Sequence, residues 1–338
     1  MADQVRIGII GAGRIGKLHA ANLSFHISDA TVAAVSDVYV DAAKQCAAEC
    51  RIPKAVKDHR EILDDPDIDA IFICSSTDTH SQLIVEGAEA GKHIFCEKPI
   101  DFDLDRIDKA LKAVDQAGVK LQIGFNRRFD PNFKRARDAV AAGTLGTPHI
   151  IRITSRDPEP PPIEYVKVSG GIFLDMMIHD FDMCRYLMGE EVTEVYAAGT
   201  TLIDPKIGEA GDVDTAVVTL TYESGAYCVI DNSRQAVYGY DQRVEVFGTK
   251  GCVVVENPTP TSATFLKPGQ VQSDPLYHFF LDRYKDAYLA ETREFITCVQ
   301  EDTAPSVVGI DGKIPILMAM AAKQSLKEHR PVKVTLNT

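Results

Sequence analysis

The sequence predicts an α/β part followed by an α+β part. A parallel sheet covered by helices is expected over residues 1–125, then a large, mostly antiparallel open sheet over residues 126–338. Three observations predict it. The chain has 338 residues, more than one ordinary core organises, so two domains are expected. Up to Phe125 short branched strands alternate with helices, which implies right-handed crossovers. Beyond Phe125 alternating or densely β-branched segments follow one another with turns between.

In the first part "VRIGIIG" is a strand and "GRIGKLHAANL" the helix after it. "TVAAVSD" and "VDAAKQCAAEC" repeat the pair, as do "AIFICS" and "HSQLIVEGAEAG". "HIFCEKP" is the next strand, "DLDRIDKALKAVDQAG" an amphipathic helix and "KLQIGFN" a last strand. In the second part "HIIRITSRD", "EVTEVYAAGTTL", "DTAVVTLTY", "AYCVIDNSR", "QRVEVFGTK" and "GCVVVEN" read as strands. Glu223-Ser224-Gly225 sits between two of them as a hairpin turn. "GGIFLDMMIHDFDMCRYLMG", "YLAETREFITCVQ" and "GKIPILMAMAAKQSLKEH" read as helices, and "DPEPPP" as an extended loop.

Charge and cysteine usage narrow the function. Lys and Arg number 36 against 49 Asp and Glu, a net charge of -13. Such a chain repels phosphate backbones and anionic lipid, so nucleic acid and membrane are not expected partners. No apolar run approaches the roughly 20 residues of a spanning helix. "MADQVRIGII" enters a strand almost at once, which leaves no room for a signal peptide. The eight cysteines form no CxxC pair, and Cys46 and Cys50, one helical turn apart, read as reduced helix residues. A cytoplasmic enzyme with no resident metal is the expectation.

"GAGRIG" supplies Gly11, Gly13 and Gly16 between the first strand and its helix. In that context the spacing is a dinucleotide fingerprint, and the first part becomes a Rossmann domain. Gly11 permits the tight turn, Gly13 lets a pyrophosphate approach, and Gly16 lets helix and strand pack closely. The helix N-terminus offers N–H groups and partial positive charge to phosphate. Asp37 ends the second strand, where a carboxylate binds ribose hydroxyls and repels a 2′-phosphate, so NAD is favoured over NADP. Arg14 could partly offset that repulsion. The expected cofactor set is Gly11, Ala12, Gly13, Arg14, Ile15, Asp37 and Val38, with Ser75, Ser76, Thr77 and His80 from "CSSTDTH" and Glu97 and Lys98 from "FCEKPI".

Lys98 ends a strand on the edge where dinucleotides lie, held against Pro99, which restricts its backbone. The competing reading is a solvated strand-end charge. "GGIFLDMMIHDFDM" places Asp175 four residues before His179, hence on one helical face, with Asp182 one turn beyond. A carboxylate that holds a histidine makes it a better base near neutrality. The competing reading there is a helix-surface ion pair.

Together "GAGRIG", "EKP" and "DMMIHDFDM" in a strand-rich second half resemble the glucose–fructose oxidoreductase and inositol dehydrogenase family, over essentially the whole chain. "GFNRRFDPNF", "SRDPEPPP" and "YGYDQRVEVFG" strengthen the resemblance. It implies that Lys98, Asp175 and His179 are catalytic. It implies that Arg127, Asp157 and Tyr238 join them in binding a polyol, and that the protein is a homotetramer packed through its C-terminal sheets. The implied reaction is NAD-dependent oxidation of a ring alcohol of a cyclic polyol, myo-inositol foremost. Scyllo-inositol or an aldopyranose such as D- or L-glucose is the alternative, and a catalytically silent NAD-binding regulator a third reading.

Overall fold

The computed structural model describes residues 4–336, so the outermost ends of the two expected domains lie outside the described residues. Two units form. One comprises residues up to Asn126 together with Asp286–Lys313, the other Arg127–Lys285 together with residues from Ile314 on. A single cut at 125/126 therefore misses the return of residues 286–313. The reason is apolar: Phe295 and Ile296, on the helix Lys285–Gln300, are buried in the first core, where Phe295 meets the rings of Phe72 and Phe95.

The first unit holds a six-stranded sheet. Its strands are β1 (Val5–Ile10), β2 (Ala30–Ser36), β3 (Lys54–Val56), β4 (Ala70–Ile73), β5 (His93–Glu97) and β6 (Leu121–Gly124). They lie in the order β3-β2-β1-β4-β5-β6, all parallel. The order reverses beside β1, which is where such sheets open a crevice at their carboxyl ends. Burial on both faces explains the continuous apolar runs of β1 and β4. The three-residue β3 was too short to be visible as periodicity.

The second unit holds β7 (Pro148–Arg156), β8 (Val192–Thr200), β9 (Thr215–Tyr222), β10 (Tyr227–Ser233), β11 (Asp241–Gly248) and β12 (Gly251–Val255). A ribbon of β13 (Thr264–Lys267) and β14 (Gln270–Ser273) follows, then the short β15 (Val332–Lys333). The large sheet runs β12-β11-β7-β10-β9-β8-β15, antiparallel except for the β7/β10 pair. Residues alternate in burial along β9 and β10, and the hairpin between them turns at Gly225, whose φ is +85°. The ribbon and the helix Pro131–Ala141 had no expectation behind them.

The segment expected as one helix over 170–189 is two. Ile172–Asp175 is a single turn and Ile178–Met188 a separate helix. Met176 and Met177 both donate their N–H to the Ile172 carbonyl, and the second helix restarts with Asp180 and Phe181 donating to Met177. The turn is one residue wider than an α-turn. Asp175 and His179 are therefore not stacked on one continuous face.

Candidate functional site

In the first unit the glycine turn is built from backbone constraints. Gly11 has φ +102°, and a Cβ there would lie 2.6 Å from the Cys74 carbonyl. A Cβ on Gly16 would lie 1.9 Å from the Gly11 oxygen. Gly13 differs: a Cβ on it would meet no protein atom within 4 Å. Protein packing thus demands two of the three glycines and leaves the third open toward whatever approaches the turn. The helix Arg14–His26 begins at Gly13 with no side-chain cap, so its first N–H groups face outward for an anion.

Asp37 is tied to this turn. Its carboxylate accepts from Ala12 N at 2.8 Å and from Tyr39 N at 2.8 Å. Val38 and Tyr39 follow it as exposed apolar side chains, 72% and 79% accessible, where the flat base of a nucleotide could lie. Arg14 is exposed and Ile15 half-buried on the first turn of the helix. Ser76 caps the next helix, Thr77–Glu89, and Ser75 Oγ bonds Thr79 Oγ1 at 2.7 Å.

Two expected cofactor residues face the protein instead. His80 is buried, its ring between the carbonyls of Pro99 (2.8 Å) and Ser75 (3.1 Å), and burial lowers its pKa. It joins the ends of β4 and β5 through their loops. Glu97 accepts from or shares a proton with His19 Nε2 at 2.8 Å, and His19 Nδ1 meets Thr292 Oγ1 at 3.1 Å. Its carboxyl occupies the space a Gly124 side chain would fill, 3.1 Å from a Cβ there. Glu291 lies beside this pair, fully buried. Burial raises its carboxyl well above the usual range, and Glu97 and Glu294 add to the shift. Among the described residues His19, Glu97 and Glu291 are the group whose ligand atoms could hold a metal, all within 4.8 Å. The hydrogen bonds of His19 already account for that ring. Lys98, half-buried, follows at the carboxyl end of β5, and its bond to Pro99 is cis.

In the second unit Asp175 is the centre of a charged cluster. Tyr165 Oη donates to its Oδ1 at 2.8 Å, and Arg234 Nη1 donates to its Oδ2 at 3.1 Å. Asp212 lies 3.7 Å from Arg234 Nη2 and accepts the Ile172 N–H at 3.0 Å. Asp157 adjoins them at the end of β7. Burial raises its carboxyl to about 6, Arg234 opposing the shift and Asp175 adding to it. Burial, then the Asp175 charge, raises the Tyr165 phenol. His179 is half-buried on the first turn of Ile178–Met188. Tyr165, Asp212 and Arg234 escaped sequence reasoning. Tyr165 sits on the short helix Ile163–Val166 and the other two in separate loops, and no spacing connects them to Asp175.

Three further residues make strong contacts within the second unit. Arg127 is buried and pairs with the fully buried Asp180 at 2.7 Å, which also accepts from Asn232 Nδ2 at 2.9 Å. Its guanidinium also lies beside Ser155 Oγ and Tyr240 Oη at 3.4–3.5 Å. Tyr238 donates to Asp241 at 2.7 Å and accepts from Arg156 at 3.1 Å. It lines a surface cavity of about 490 Å³ with Arg156, Val217, Asp231 and Gln235, and none of its contacts is with the Asp175 cluster. Asp182, expected in line with His179, is gripped by the Arg128 guanidinium at 2.5–3.1 Å.

The parallel sheet of reversing order, with its uncapped glycine turn, defines a dinucleotide-binding unit beside a second, sheet-based one. Residues 5–125 match the oxidoreductase family with an NAD-binding Rossmann fold, and residues 133–254 the GFO/IDH/MocA C-terminal domain. The chain belongs to the GFO/IDH/MocA oxidoreductase family. It is 52% identical to myo-inositol 2-dehydrogenase of Thermotoga maritima over 330 residues, 98% of each chain. It is 46% identical to inositol 2-dehydrogenase of Rhizobium meliloti over 98% of this chain and 99% of that one. The crystal structure of scyllo-inositol dehydrogenase from Lactobacillus casei with NAD(H) and scyllo-inositol is similar with a TM-score of 0.92 at 30% identity, covering 98% of this chain and 99% of that one. Among the described residues no helix is long and apolar enough to cross a membrane.

Proposed function

We propose that the protein oxidises the ring alcohol of myo-inositol to the 2-ketone with NAD. The observation that carries the reading is the Asp175 carboxylate, oriented on both oxygens by Tyr165 and Arg234. It stands in a chain 52% identical to a myo-inositol 2-dehydrogenase. NAD supplies the acceptor for the hydride that leaves the carbinol carbon. His179 takes the hydroxyl proton, Asp175 stabilises the imidazolium so formed, and Lys98 offsets charge developing on the oxygen. A neutral polyol needs directional donors and acceptors and no counter-charge, and Asp157 adds an acceptor to that set.

The division of labour follows the family: cofactor binding in residues 1–125, substrate binding and oligomerisation in residues 126–338. The open face of the second sheet carries Tyr196, Val217, Tyr227, Phe247 and Val254, all more than 40% exposed. That apolar face supports a homotetramer, which light scattering would count. A cytoplasmic location and a role in carbohydrate catabolism belong to the same proposed reading.

The test is NADH formation over a panel of myo-inositol, scyllo-inositol, D-glucose and L-glucose. Myo-inositol should give the highest kcat/KM. Preference for scyllo-inositol, the ligand of the Lactobacillus casei neighbour, would move the protein to the alternative reading. No NADH with any of the four, from a protein that binds NADH, would leave the silent regulator standing.

A further inference from the structure

Arg234 lies one residue beyond β10 and is 1% exposed. Its N–H donates to Asp214 O at 2.9 Å, and the neighbouring Asp157 N–H donates to Ser233 O at 3.0 Å. Its guanidinium reaches the last residue of the turn Ile172–Asp175 through Asp175 Oδ2. It adjoins Asp212, which pins the first residue of that turn by accepting the Ile172 N–H on both oxygens at 3.0 and 3.1 Å. Gly171 leaves room for that contact: a Cβ there would lie 2.7 Å from Asp212. Both ends of the turn carrying Asp175 are thus held by one guanidinium and its partner. Arg234 Nε and Nη2 make no hydrogen bond among the described residues, although both are buried.

Charge makes the same point. Three carboxylates face this one cation: Asp157 from the end of β7, Asp175 from its turn and Asp212 from the loop before β9. The Tyr165 phenol faces it from its own short helix, and Arg127 and Asp180 act on Asp157 from further away. A buried carboxylate without a counter-charge takes up a proton. Arg234 is the counter-charge that these carboxylates share, and with the Tyr165 hydrogen bond it turns Asp175 one way.

We propose that Arg234 is a positioning residue of the polyol site: it clamps the Asp175 turn and fixes the direction of its carboxylate, and its buried charge bears on the pH at which His179 accepts the substrate proton. The inference rests on the reading of His179 as base. Removing the cation makes every group around it bind protons more tightly, so the acidic limb of turnover moves to higher pH. Lysine at the same place keeps the charge but cannot span two carboxylates as a fork does.

The experiment is kcat against pH, with myo-inositol saturating, for wild type, Arg234→Gln, Arg234→Lys and His179→Ala, with NADH titrated by fluorescence in each. Arg234→Gln should lose about 10²-fold in kcat and shift its acidic limb up by about one pH unit, with NADH affinity unchanged. Arg234→Lys should lose kcat with the limb unmoved. An Arg234→Gln enzyme of wild-type kcat, or one of lowered kcat over an unmoved limb, overturns the proposal. If Arg234→Gln does not fold, the lysine variant decides, and wild-type kcat in it overturns the clamp. A His179→Ala enzyme with the wild-type rate and limb sinks the base reading and this inference together. Loss of the limb in His179→Ala while Arg234→Gln keeps it sinks this inference alone.

Discussion

In the glycine turn the groups offered to a ligand are main-chain N–H groups, whereas around Asp175 they are side chains drawn from separate segments. The turn needs contiguous residues of special shape. Gly11 and Gly16 are fixed by contacts of 2.6 and 1.9 Å that a side chain could not survive. The Asp175 cluster needs charges of the correct sign at one point, and Asp157, Tyr165, Asp212 and Arg234 reach it from four places along the second unit. A site made of backbone is written in one stretch of sequence. A site made of converging charges is spread through it.

Two substitutions weigh most on the charged side of that comparison. His179→Ala should lower turnover by about 10²–10⁴-fold, the usual worth of a general base, while NADH binding stays close to wild type. Lys98→Ala should cost about 10²–10³-fold, as loss of one preorganised polar group does. Steady-state rates beside NADH fluorescence titrations check both. If either variant weakened NADH binding as much as turnover, the separation between a backbone cofactor site and a side-chain reaction site would break down.

Asp37 straddles the two kinds of site, a side chain that serves a backbone turn. Asp37→Ser removes an acceptor for the ribose, a repulsion toward a 2′-phosphate and the bond to Ala12 N–H. The NAD/NADP preference should fall by about tenfold, or ~1.4 kcal/mol. Kinetics with both cofactors measure it. An unchanged preference would mean that the ribose is read elsewhere, with Arg14 the next residue to change.

The buried group Glu291 tests how the first unit tolerates charge. Its carboxyl oxygens make no hydrogen bond among the described residues, and burial raises its pKa above the unfolded value of 4.5, Glu97 and Glu294 reinforcing the shift. Below 4.5 folded and unfolded chains are both protonated there, and no penalty arises. Above it the unfolded chain releases the proton and the folded one keeps it. Stability therefore falls as pH rises, by at most ~1.4 kcal/mol per unit, until the folded pKa is passed. Glu291→Gln removes that dependence, so its Tm should gain on wild type as pH rises above 4.5. Glu97 and Glu294 face the group in both proteins, and His19 bonds Glu97. Parallel Tm curves would show that Glu291 is ionised in the folded protein.

The same contrast explains what the sequence could reveal. Alternating strands and helices disclosed the first sheet because each burial face repeats within a few residues. They missed β3, three residues long, and the return of Phe295 and Ile296 to the first core, which no local period records. Lys98, Asp175 and His179 stood out as chemistry in apolar company. Arg127 and Tyr238 looked equally suitable, but their partners, Asp180 in one case and Asp241 with Arg156 in the other, lie 53, 3 and 82 residues away. Which contacts hold such a side chain depends on those partners. The helix break at Met176–Met177 was hidden for another reason: both methionines favour helix, and only the double use of the Ile172 carbonyl widens the turn.

The smallest effect belongs to Gly13, and it separates what the fold requires from what a ligand requires. Its φ of -71° is open to any residue, and a Cβ would touch no protein atom within 4 Å. Gly13→Ala should therefore fold normally, with stability within about 1 kcal/mol of wild type, since the ~0.4–1 kcal/mol from a less flexible unfolded chain is offset by alanine being a poorer N-cap than glycine. Gly16→Ala, with its Cβ 1.9 Å from the Gly11 oxygen, should instead lose stability. If the pyrophosphate lies against the turn, the added methyl of Gly13→Ala stands where the phosphate must approach, and NADH affinity should drop severalfold while the protein stays as stable as before. Differential scanning calorimetry and NADH titration on the two variants measure both effects. A Gly13→Ala protein that binds NADH as tightly as wild type would show that the dinucleotide keeps its distance from the turn, and the cofactor contacts would then rest on Asp37 and the helix N-terminus alone.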